Sequence, residues 1–169
     1  MRPDKEIFFK TATVQLLAKI DDMKIQNAEP IKDLIIRIRN AFLDDNVRRS
    51  VFGTELANDM SVYATNGFCA AASVLFLNNT DADFELMYID DMWTYGPHHF
   101  LRHKPSGIIL DLTFDQFIQD GITAIPYDMG RPIKPTKLSS DMALRFATAV
   151  GINMKQNKRY NHAKARTVR

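Results

Sequence analysis

Between Thr65 and Phe76 the chain reads TNGFCAAASVLF, and this run constrains the fold more than any other stretch. Thr65-Asn66-Gly67 is a turn signal. After it come Ala70, Ala71, Ala72, Val74, Leu75 and Phe76, with little to hold them in water, so the pattern predicts a buried helix. The single cysteine, Cys69, then stands in the first turn of that helix. Unpaired N–H groups and the positive end of the helix dipole favour a thiolate there, and the thiolate is the nucleophilic form. A lone cysteine also serves as an ordinary buried space-filler. Residues further along the chain must decide between the two.

The 169 residues suffice for one domain with a real core. Hydrophobic residues make up 46% and charged residues 25%, the balance of a soluble globular chain. One cysteine leaves no intramolecular disulfide and no cysteine-based zinc site, and a free thiol suits a reducing, cytoplasmic setting. The N-terminus lacks the apolar core of a signal peptide, and no apolar run reaches membrane-spanning length, so no membrane association is expected. Charge is unevenly spread. Residues 153–169 hold six of the 22 basic residues and none of the 20 acidic ones, which leaves a mildly acidic body and a basic tail.

Taken in order, residues 4–25 read as a helix with Ile7, Phe8, Val14, Leu17 and Ile20 on one side. Pro30 opens a second helix, in which Ile31, Leu34, Ile35, Ile38 and Phe42 form a core face and Lys32, Arg37, Arg39 and Asn40 fall mostly opposite. Asp44 to Gly53 reads as a polar turn, with Arg48 and Arg49 as a solvated pair. Thr54 caps a short helix to about Tyr63. The period then changes. Phe84–Ile89, His98–Arg102 and Ile108–Thr113 read as strands, with a hairpin loop at Lys104–Gly107 and a helical turn at Phe114–Phe117. An irregular proline- and glycine-rich connection leads to a final helix. Ser139 or Ser140 caps it, Met142, Leu144, Phe146, Ala147 and Val150 give it apolar surface, and Gly151 ends it. The expected fold is α+β: one domain over 1–152, with an N-terminal helical part (1–53) and a core (54–152) whose nucleophile helix packs on a small antiparallel sheet. The basic tail, 153–169, follows.

The stretch YGPHHFLRHKPSGIILDLTFDQF, residues 95–117, gathers the rest of the chemistry. His98, His99 and His103 lie on or near one strand and Asp111 on the next. Cross-strand neighbours are close enough for an imidazole N–H to meet a carboxylate. A histidine so placed deprotonates a thiol and later protonates a leaving group, while the aspartate fixes its tautomer. Alternation puts His98, Phe100 and Arg102 on one face and His99, Leu101 and His103 on the other. The three histidines therefore cannot all converge on one metal with Asp111, and His103 is expected at the surface. Trp93 and Tyr95 are candidates to line a substrate groove.

This order resembles the papain-like, transglutaminase-type superfamily of cysteine hydrolases and acyltransferases. The resemblance rests on Gly67-Phe68-Cys69, His98-His99-Phe100-Leu101, Asp111-Leu112-Thr113-Phe114-Asp115-Gln116-Phe117 and the later Pro126-Tyr127-Asp128-Met129-Gly130. It implies a papain-like core and a Cys69-His98-Asp111 triad. The base is the histidine two residues before the aromatic, His98, with His99 as the alternative. It implies an amide hydrolase or acyl transferase acting on a protein or peptide substrate, as a protease, glutamine deamidase or transglutaminase, without metal or cofactor. Ala70 stands where transglutaminases carry an aromatic residue, and no upstream glutamine is identifiable as an oxyanion donor. The Cys69 N–H, with Asn66 or Asn58, is left for that role. Gln116 is expected to brace the loop.

The competing expectation is a non-catalytic protein that binds a partner through its N-terminal helices and basic tail. The tail suits an acidic partner. With Tyr160 as its single stacking aromatic, it is not expected to read nucleic acid.

Overall fold

A computed structural model describes residues 3–59, 63–92, 96–118 and 120–154. Among these, seven α-helices surround a small antiparallel sheet: α1 (Pro3–Asp22), α2 (Glu29–Ala41), α3 (Asp45–Phe52), α4 (Thr54–Asp59), α5 (Cys69–Asn79), β1 (Phe84–Ile89), β2 (His98–His103), β3 (Ile109–Leu110), α6 (Asp115–Ile118), β4 (Arg131–Pro132) and α7 (Lys137–Val150). The sheet order is β3-β2-β1-β4. The expected meander is there, with β4 added on the outer edge of β1. That last strand lies in the stretch read as irregular. It is two residues long and contains Pro132, tolerable at an edge.

α5 is the hub. Every side chain from Ala71 to Leu77 is buried, because a helix apolar on all sides must be enclosed. Phe76 meets Phe84 of β1 edge-on at 5.2 Å, and Phe84 pairs with His103 of β2. Running back from that contact, seven residues of helix rise about 10 Å. Five residues of strand cover about 17 Å. The start of α5 and the start of β2 thus arrive at the same end of the sheet. Leu86, Leu101 and Leu110 face the helices, whereas Met87, Ile89, Met92, Phe100 and Phe117 form a second, smaller core on the opposite face.

Several expectations change. Asp44–Gly53 is not a turn but contains α3, capped by the Asp44 carboxylate, which accepts from the Asn46 N–H at 2.8 Å. On α1 the buried side is Phe9, Ala12, Leu16 and Ile20, while Ile7 and Val14 are exposed. Thr136, not a serine, caps α7, in a capping box with Ser139, and Leu144 faces solvent. Regular pairing in β3 stops at Leu110, before Asp111. His103 is buried, its ring on Phe84 and its Nδ1 2.8 Å from Ser106 Oγ. Arg39 and Arg48, both expected at the surface, are buried. Trp93, Tyr95 and most of the basic tail lie outside the described residues. No helix among the described residues is long and apolar enough to cross a membrane.

Candidate active site

The turn that delivers Cys69 is built by three neighbours. Gly67 has φ +78°, a conformation an L side chain rarely adopts, and so lets the chain reverse. Phe68 is then driven fully into the core, its ring 4.7 Å from Phe42, 5.0 Å from Phe52 and 5.2 Å from Phe146. Arg48 reaches across from α3. Its Nη1 donates to the Asn66 carbonyl at 2.9 Å, and its Nη2 donates to the carbonyls of Tyr63, at 3.2 Å, and Ala64. Its guanidinium carbon lies 4.8 Å from the centre of the Phe68 ring. A buried cation thus satisfies backbone carbonyls that a tight turn leaves open. With Phe68 anchored, Cys69 emerges half-buried at the first residue of α5. Its N–H belongs to the first-turn donors that a helix leaves without internal acceptors.

His98 and Asp111 meet behind it. His98 Nε2 donates to Asp111 Oδ2 at 2.6 Å, and both side chains are 1% exposed. Asp111 Oδ1 accepts from Thr113 N–H at 3.0 Å and Thr113 Oγ1 at 3.2 Å. Tyr127 donates its hydroxyl to Oδ2 at 2.9 Å. The His98 ring is held edge-to-face by Phe117 at 4.7 Å and flanked by Phe100. With Nε2 committed to the acid, Nδ1 is the nitrogen left for the thiol. The two groups interact, but Nδ1 completes no hydrogen bond in this resting arrangement.

The electrostatics follow from burial and pairing. Burial alone raises the Cys69 thiol. The approach and charge of His98 and His99 outweigh it and bring the pKa from 9.0 down to about 6. Burial likewise disfavours a charged His98, but the Asp111 carboxylate, and then Cys69, raise it to about 10. Asp111 is lowered: the cost of burial is exceeded by His98, the Thr113 N–H and Tyr127. Both shifts favour the thiolate–imidazolium form of the pair.

The other candidates are placed as follows. His99, half-buried on the helix-facing side of β2, lies edge-on to Tyr88 at 4.9 Å and acts on the same thiol from the opposite face to His98. Asn66 sits in the Arg48-gripped turn. Asn58 lies on the exposed side of α4. Gln116 donates to Thr113 Oγ1 at 3.0 Å and so braces the loop that carries the acid. His103 lies at the far end of β2, and among the described residues no three potential metal ligands gather.

A second network escaped the sequence reading. Arg39 forks onto Asp115, Nη1 to Oδ1 at 2.7 Å and Nη2 to Oδ2 at 2.9 Å, both side chains fully buried. Arg39 also donates to the carbonyls of Leu112 and Phe9, and Tyr63 donates to Asp115 Oδ2 at 3.0 Å. The loop after Asp111 is thereby tied to the turn before Cys69. Arg39 could have been suspected from its place beside Ile35 and Ile38. Tyr127 carried no periodic signal at all.

Comparison of the chain with protein-family models, with curated proteins and with solved structures finds no match.

Proposed function

We propose that the protein is a thiol-dependent acyl-transfer enzyme of papain-like, transglutaminase-like type, acting on an amide of a protein or peptide. The observation that carries this reading is the 2.6 Å His98–Asp111 bond behind a half-buried cysteine at a helix start. A buried, acid-paired imidazole beside a half-buried cysteine at a helix start is the arrangement covalent catalysis requires. The Cys69 thiolate attacks the amide carbonyl carbon, and the oxyanion forms near the Cys69 N–H. As the C–N bond breaks, His98 gives its proton to the departing amine or ammonia. A thioester remains. His98, now neutral, takes a proton from water or from a second amine, which attacks the thioester and releases the thiolate. Water gives hydrolysis or deamidation, and an amine gives transamidation. A reactive thiol of this kind suits a reducing compartment such as the cytoplasm.

The test uses p-nitrophenyl acetate as a generic acyl donor. The expected result is a burst of about one p-nitrophenolate per chain, with acetyl on Cys69 by mass spectrometry. Cys69→Ala should lose both. Absence of acetyl on Cys69 in the wild type would overturn the proposal.

A further inference from the structure

The two oxygens of Asp111 have separate duties. Oδ1 is taken by the N–H and hydroxyl of Thr113, which set the plane of the carboxylate. Oδ2 receives His98, at 2.6 Å, and the hydroxyl of Tyr127, at 2.9 Å. Tyr127 arrives from a 3-10 turn at Tyr127–Met129, remote in sequence. Its ring is held edge-on to Phe100 at 4.9 Å. Gly130 permits the approach, since a Cβ there would lie 2.5 Å from Phe100 Cζ.

We infer that Tyr127 is a positioning residue that shares the charge of Asp111 Oδ2 with the imidazole, and so limits how firmly the acid holds the His98 proton. The inference rests on the acyl-transfer reading above. An oxygen that accepts two donors gives less charge to each. His98 must both carry its proton and surrender it to the leaving amine, and an acid that bound the imidazolium too strongly would oppose the second step. Burial pushes the Tyr127 phenol far up, so it remains a donor throughout the working range. The charged and titratable groups around this centre are His98 and Tyr127 on Asp111, and Cys69 beyond His98, with His99 on the thiol. Asp115, which bears on Tyr127, is paired with Arg39 and bonded by Tyr63.

The experiment follows the His98 ring nitrogens by NMR across pH in the full chain, as wild type, as Tyr127→Phe, and with 3-fluorotyrosine installed at 127. Without the hydroxyl, the His98 midpoint should rise by about one pH unit. The fluorinated phenol is a stronger donor and should move it the other way. It also keeps the test decisive if Tyr127→Phe does not fold. An unchanged or lowered midpoint in folded Tyr127→Phe, or no downward shift with the fluorinated ring, would overturn the inference. Alkylation of wild-type Cys69 is read alongside. An ordinary thiol there would sink the acyl-transfer reading, while the His98 titration would still decide the role of Tyr127.

Discussion

Arg48 Nη1 lies 2.9 Å from the carbonyl oxygen of Asn66, so a buried side chain of α3 holds the turn that presents Cys69. Losing that grip leaves several carbonyls without a charged donor. Arg48→Met should cost about 2–4 kcal/mol, and thermal denaturation should register it as a fall of about 5–10 °C. Arg48→Lys retains the charge but not the fork, and should recover only part of the loss. Iodoacetamide labelling of Cys69 should slow in both, since the thiol would no longer be held at its place beside His98.

The Arg39–Asp115 pair behaves differently because neither partner is accessible. Arg39→Met or Asp115→Asn alone strands a buried charge and should destabilise by about 3–5 kcal/mol in urea unfolding. The double replacement should be less damaging than the sum of the two, because no unpaired charge then remains.

At Gly130 the restriction is space. Its φ is −72°, an ordinary value, yet an added methyl would press on Phe100 and on the Tyr127 carbonyl. Gly130→Ala should displace the Phe100 ring and cost about 1–3 kcal/mol. Chemical denaturation measures the cost. Slower Cys69 alkylation in the folded variant would show that the shift reaches His98.

How much of this was legible from residues alone varies with the physics involved. The α5 run and the β1 and β2 strands are uniform in character, so their burial and alternation read directly, and the order Cys69, His98, Asp111 came with them. Arg39 and Arg48 did not read correctly, because a charged residue inside depends on partners such as Asp115 or the Asn66 carbonyl that only the fold brings near. β4 was missed because two residues at a sheet edge carry no period. Asp111 serves both His98 and a side-chain turn onto Thr113, one oxygen for each.

The His98–Asp111 pair also sets a pH window for stability. Asp111 is lowered, so its contribution is present above the unfolded carboxylate value of 3.8 and is lost as pH falls further. His98 is raised, so its contribution is complete below 6.5 and fades as pH rises through about 10. The stability difference between wild type and Asp111→Asn should therefore be greatest between about pH 4 and 6.5. Urea unfolding at a series of pH values measures it.

The most direct measurement is the rate of Cys69 alkylation by iodoacetamide as a function of pH. A thiolate held by His98 predicts that reactivity in the wild type rises through pH about 6, well below the ordinary thiol value of 9.0. It predicts too that His98→Ala moves the midpoint up towards the free-cysteine range, about 8.5. A wild-type midpoint already in that range and indifferent to His98→Ala would contradict the account.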